Sequence, residues 1–181
     1  MPDNRLIEVP IDGVWKLKYP EQIVLATARA ADGRTSIIPL GWYMQVSGTP
    51  PMVAIAVGLT RFSHDLIAQS GEFVVCFPST EMASEVLYCG SHSGRDVDKF
   101  AATGLKAVPA SVVGAPLIEG CVACLECRVT NSLVTGDHRV FVGEVVAAHA
   151  SEQPLRRLYN YGDLHFGGAE FVPVPGGPQR L

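Results

Sequence analysis

The sequence predicts a mainly β domain, a barrel of antiparallel strands carrying a few short helices. Three observations lead there. Apolar runs such as residues 23–30, 52–57 and 72–77 are short and strand-like. They are separated by turn residues, with 18 Gly and 13 Pro among the 181 residues. Finally, 48% hydrophobic against 18% charged residues is enough to bury a core in one domain, which sets disorder aside.

Residues 23–30 (IVLATARA) read as a first strand, because the run is apolar and lacks helix caps. Asp32-Gly33 then signals a hairpin, and residues 34–40 (RTSIIPL) read as its return strand. A loop ends at Pro50-Pro51 and leads into residues 52–57 (MVAIAV), a buried strand. Residues 61–70 change period. Phe62, Leu66 and Ile67 share a helical face, Ser63 is placed as the N-cap, and Gly71 stops the helix. Residues 72–77 (EFVVCF) form a strand cut by Pro78, and residues 80–88 a helix capped by Ser79 or Thr80. After a loop over residues 91–95, residues 96–103 read as a short helix with Asp96 as cap and Gly104 as stop. A small-residue loop spans residues 109–116. Two long β segments follow, 121–133 and 139–149, joined at Thr135-Gly136-Asp137-His138. Residues 155–161 read as a short helix, and the Pro- and Gly-rich tail from 173 to 181 as loose chain.

The net charge of −4 argues against nucleic acid as the main partner, since phosphate neutralisation needs a basic face. No apolar run reaches the roughly 18 residues of a membrane span. The start, Met1-Pro2-Asp3-Asn4-Arg5, lacks the apolar stretch of a signal peptide, so a cytoplasmic protein is expected. Five cysteines, an odd number, are read as reduced thiols. Cys121, Cys124 and Cys127 have a metal-like spacing within a predicted strand. Period 2 puts Cys121 and Cys127 on one face and Cys124 on the other, which predicts structural cysteines and no metal site.

Three clusters could carry chemistry. Gly58-Leu59-Thr60-Arg61-Phe62-Ser63 runs from a strand into a helix. There the free N–H groups, the Arg61 guanidinium and two hydroxyls suit a phosphate. A capped surface helix with a solvated arginine is the other reading of those residues. Residues 36–42 (SIIPLGW) suit a flat heteroaromatic ligand, with Gly41 allowing close approach and Trp42 packing beside a ring; a core strand and turn is the plain alternative. In the third, residues 91–100 (SHSGRDVDKF), Lys99 could reach an anionic or carbonyl edge, or lie in solvent. The central His92 in Gly90-Ser91-His92-Ser93-Gly94 removes a hydrolase nucleophile. The five histidines show no ligand spacing, although His138 and His165 could flank a pocket.

Several stretches occur together in order: Tyr19-Pro20, Leu40-Gly41-Trp42, Pro50-Pro51-Met52-Val53-Ala54-Ile55, Arg61-Phe62-Ser63-His64 and Ser70-Gly71-Glu72-Phe73-Val74-Val75. Ser93-Gly94-Arg95-Asp96-Val97-Asp98-Lys99-Phe100 and Phe141-Val142-Gly143-Glu144-Val145 follow. The ordered set resembles the flavin reductase-like family of FMN-binding split barrels, and within it the flavoredoxin branch. The resemblance covers residues 19–166, flanked by an N-terminal segment (1–18) and a C-terminal tail (167–181).

That resemblance implies a split barrel of about six strands, a homodimer, and FMN near the dimer interface. Thr60, Arg61 and Ser63 would take the FMN phosphate. Ser36, Ile38, Leu40, Gly41 and Trp42 would border the ribityl chain and ring, with Phe77, Ser93, Gly94 and Lys99 on the other side. The implied activity is a flavin reductase drawing on NADH or NADPH and passing electrons to a partner monooxygenase, an electron carrier or oxygen. The alternative is a non-enzymatic FMN-binding electron-transfer protein. Either fits a chain without triad, zinc spacing or paired acids, because flavin carries its own chemistry and the fold supplies position and electrostatics.

Overall fold

The computed structural model describes residues 5–169. A 3-10 helix at Ile11–Lys18 precedes β1 (Glu21–Gln22), β2 (Val24–Arg29), β3 (Thr35–Leu40), β4 (Tyr43–Gly48) and β5 (Pro51–Gly58). Then come α1 (Phe62–Ser70), β6 (Glu72–Phe77), a 3-10 turn at Thr80–Met82, α2 (Ala83–Ser91) and α3 (Lys99–Thr103). The remaining strands are β7 (Ala107–Val108), β8 (Leu117–Ile118), β9 (Ala123–Thr135), β10 (His138–Ala150), β11 (Leu158–Gly162) and β12 (His165–Gly168). No helix among the described residues is long and apolar enough to cross a membrane.

Seven strands form one antiparallel sheet in the order β3-β2-β6-β9-β10-β5-β4. Alternation along β2 sends its side chains into two different cores. Val24, Ala26 and Ala28 point inward with Val53, Ile55, Val57, Phe73, Val75, Cys127 and Phe141. Leu25 points to the other side with Val74, Cys76 and Cys124, where α2 (Val86, Cys89) and the loop before β8 cover it. β2 and β6 are therefore apolar on both faces, one lining the barrel and one under a lid of helix and loop. A side chain at Gly143 would collide with the Phe73 ring, at 2.6 Å, inside the barrel. Register shifts between Val142 and Gly143 and between Val145 and Ala147 bend the long β9–β10 ladder.

A buried carboxylate anchors the covering loop. Glu126 on β9 is fully buried and accepts N–H bonds from Ser111 (2.7 Å), Val112 (2.7 Å) and Val113 (2.9 Å). His149 Nε2 on β10 donates a fourth, at 2.6 Å. Burial pushes the Glu126 pKa up, but these four donors outweigh it and hold the group at about 2.

The hairpins at Gly33 and at Gly136-Asp137 lie where the sequence places them. Several expectations are corrected. Residues 43–48, read as loop, form β4, which pairs with β5 through an exposed strand whose pattern carries little burial signal. Residues 155–161 contain a strand rather than a helix, because Leu158–Gly162 pairs with both β1 and β12. Arg61, not Ser63, occupies the N-cap of α1, and no side chain caps that helix. Asp98, not Asp96, caps α3, accepting from Ala101 N at 3.1 Å. Cys121 precedes β9 and joins Cys124 on the outer side, while Cys127 alone faces the barrel interior. Residues 170–181, and with them the expectation for the tail from 173 to 181, lie outside the described residues.

Candidate anion-binding active site

The main cavity, about 350 Å³, opens where β5 passes into α1. Thr60 and Arg61 approach it from the turn, and Phe62 and Ser63 from the first turn of α1. The leading N–H groups of a helix have no intrahelical acceptor, so this end carries partial positive charge. β3 forms one wall through Ser36, Ile38, Pro39 and Leu40, and the end of α2 and the following loop form the opposite wall from Cys89 to Arg95.

Arg61, Arg95 and Lys99 all line the cavity, and none of its lining residues among the described ones is Asp or Glu. The three cations are not equivalent. Arg95 donates to Thr60 O (2.8 Å) and Asp65 Oδ2 (2.6 Å), so it braces the turn. Lys99 is buried and donates to Ile37 O (2.8 Å) and Cys89 O (2.6 Å), leaving one of its three N–H donors uncommitted. Burial lowers the Lys99 pKa; the Cys89 thiol opposes this and the Arg61 charge adds to it. No carboxylate among the described residues pairs with Arg61.

Ser63 Oγ lies 2.8 Å from Ser36 Oγ, tying the helix start to β3. A Cβ at Gly94 would come within 3.0 Å of both Phe62 Cδ1 and Ser36 Oγ, so glycine lets this loop close on the wall. His138 also lines the cavity, with Nδ1 2.6 Å from Asp137 Oδ1. Its ring lies 4.4 Å from the Trp42 ring, which stands 5.5 Å from Trp15.

Of the residues singled out from the sequence, Ser36, Ile38, Leu40, Thr60, Arg61, Ser63, Ser93, Gly94 and Lys99 line this cavity together. Gly41 and Trp42 instead line an adjoining apolar pocket of about 200 Å³ with Met44, Ala54 and Val140. A Cβ at Gly41 would meet the Glu21 carboxylate, the movable end of a side chain on β1. Phe77 lines neither pocket; its ring lies against Tyr43 (5.6 Å) and beneath the Arg157 guanidinium (4.2 Å). Gly58, Phe62 and Arg95, which lie within the sequence clusters but carry no assigned role there, also line the cavity, as does Cys89, which no cluster includes. Only Arg95 left a signal, as the cation beside the Gly94 turn.

A family model described as "Flavin reductase like domain" matches residues 17–169. An uncharacterized protein of Archaeoglobus fulgidus is 36% identical over 113 residues, covering 62% of this chain and 64% of that one. The chain thus spans somewhat under two thirds of that relative's length. A flavin reductase of Pseudomonas putida is 28% identical over 151 residues, covering 83% of this chain and 84% of that one. Among solved structures, flavoredoxin from Methanosarcina acetivorans superimposes with a TM-score of 0.82 at 28% identity, covering 94% of both chains. An FMN-binding protein from Thermus thermophilus, with bound 1-cyclohex-2-enone, gives 0.80 at 28% identity, covering 93% of this chain and 98% of that one.

Proposed function

The chain belongs to the flavin reductase-like family, and on that premise we propose that it is an FMN-binding oxidoreductase whose flavin sits in the cavity at the start of α1. One observation carries the proposal: among the described residues the cavity is lined by Arg61, Arg95 and Lys99 and by no carboxylate, and Arg61, at a helix N-terminus, has no carboxylate partner. That combination fits a phosphate monoester. Thr60, Arg61 and Ser63 hold the phosphate. Ser36, Ile38 and Leu40 border the rest of the cofactor along β3. Lys99 offers its remaining N–H to a carbonyl edge, and Ser93 and Gly94 close the other side. Phe77 is not among these residues. Trp42 acts through His138, whose ring it backs.

When bound, FMN supplies two-electron redox chemistry, and the reductant is a nicotinamide nucleotide, NADH or NADPH. The chain's own residues anchor, orient and shield; no side chain is needed as a nucleophile. The flavin reductase of Pseudomonas putida supports this reading, and the likeness to a flavoredoxin supports an electron-transfer protein reduced by another protein as the second reading. Electrons then pass to a monooxygenase partner or another carrier.

A homodimer completes the site in this proposal. Met44 (56% exposed) and Val46 (43%) leave β4 with an apolar outer edge beside the Trp42 pocket. A second copy packed there would cover surface that a lone barrel leaves wet. Anaerobic mixing of the FMN-loaded protein with NADH and with NADPH tests the activity. Bleaching of the flavin band within a turnover time supports the enzyme. A band that persists with both nucleotides leaves the carrier, and a protein that takes up no FMN removes both.

A further inference from the structure

Three of the four thiols outside the anion cavity come together. Cys76 on β6 stands opposite Cys124 on β9, and Cys124 stands opposite His149 on β10. Directly opposed residues share a face, so these three make a row across three strands. Cys121 comes from the turn before β9 and folds onto the same side. The Sγ atoms of Cys76, Cys121 and Cys124 all lie within 4.8 Å of one another, and none is in a disulfide.

Packing alone accounts for a buried cysteine, which behaves as a small apolar side chain. It does not account for what surrounds this trio. A pocket of about 250 Å³ opens onto Cys121 and Cys124, with His149 on its wall. The Nε2 of His149 is held at 2.6 Å by the buried Glu126 carboxylate. A carboxylate on one ring nitrogen is the arrangement that fixes an imidazole with its other nitrogen ready for a metal. Three thiolates at about 2.3 Å from a tetrahedral cation lie about 3.8 Å apart, a spacing this cluster reaches with small side-chain adjustments.

We propose that Cys76, Cys121 and Cys124 bind one thiophilic divalent cation of the zinc type, with the fourth coordination position facing the pocket that carries His149. Binding converts three thiols to thiolates and releases their three protons to solvent, with no change of oxidation state. The bound ion ties β6, β9 and the turn between β8 and β9 together. The site shares no residue with the anion cavity and does not depend on the flavin assignment.

Anaerobic titration of reduced, chelator-treated full-length protein with Co(II) tests this. One equivalent should produce thiolate-to-cobalt charge-transfer absorption of three-thiolate intensity, and Zn(II) should abolish it. Cys121→Ser, in a turn rather than a strand, should weaken Co(II) binding by about 100-fold or more while the far-ultraviolet circular dichroism is kept. His149→Ala should weaken it by about 10-fold. Cys127→Ser, on the opposite face, should leave the spectrum unchanged. The wild type alone also decides the matter, whatever the variants do. Absence of the charge-transfer band, or a mass shift showing a native disulfide within the trio, would overturn the proposal. So would undiminished affinity in a folded Cys121→Ser protein.

Discussion

Removing the Glu126 carboxylate should cost more stability than removing any surface charge. In Glu126→Ala the N–H groups of Ser111, Val112 and Val113 lose their acceptor, and His149 loses its partner. Hydrogen bonds to a charged group are worth about 1.5–3 kcal/mol each. Four of them do not add, because residues 111–113 can drift outward and find water once the anchor is gone. A loss of about 3–5 kcal/mol follows, the range for breaking a buried network. Glu126→Gln keeps one acceptor oxygen but turns an amide NH2 toward N–H donors, so about 2–3 kcal/mol is expected. Urea unfolding monitored by circular dichroism measures both, with slopes compared to confirm that the transition stays cooperative. Hydrogen exchange at residues 111–113 should accelerate in Glu126→Ala before global unfolding does. A loss under about 1 kcal/mol, with those amides still protected, would refute the anchoring role.

The remaining expectations concern the cavity. Arg61→Ala should weaken FMN by about 10- to 150-fold, the equivalent of 1.5–3 kcal/mol, and riboflavin hardly at all; equal losses in fluorescence titrations would show that Arg61 supports the fold instead. Because burial lowers the Lys99 pKa, the folded chain gives up this proton more readily than the unfolded one. Stability should therefore rise with pH up to about 10.5, the ordinary lysine value, and fall back toward the lower folded pKa, while FMN affinity declines over the same window. Lys99→Met should flatten both profiles, and an unchanged affinity profile would show that Lys99 does not face the ligand. Gly94→Ala brings a Cβ within 3.0 Å of Phe62 and Ser36, so it should lower stability by about 1 kcal/mol and weaken FMN; a neutral result by both measures would show a loop free to retreat.

Legibility followed burial. β2 and β6 were visible as runs because both of their faces are covered, and their inward and outward residues enter different cores. β4 was not, since most of its side chains are exposed and its pairing with β5 is a backbone matter. β11 was missed for another reason: its partner β1 lies far away along the chain, and the tight turn into β12 runs through Asp163 and Leu164, both at positive φ, a pair without the usual hairpin signature. Lys99 and Arg61 could be named from sequence because charge beside a helix start is a local signal. Their separation into an unpaired cation and a buried one was not readable, because it depends on Ile37 and Cys89 carbonyls supplied by other elements. The cysteines show the same limit. Period 2 gave the opposition of Cys124 and Cys127, but it failed at Cys121, where the strand has not yet begun.

The ties that close the anion cavity join Ser36 to Ser63, Thr60 to Arg95, and Ile37 to Lys99. Each links segments that meet only after intervening strands have paired, so chain closure precedes every one of them. Refolding should then proceed in two readable stages, backbone signal first and ligand uptake second. A chain released from the ribosome before β3, α1 and α3 have met has no cavity to fill. Flavin availability in the cell would act late, by pulling completed molecules out of the folding equilibrium rather than by guiding the chain toward them.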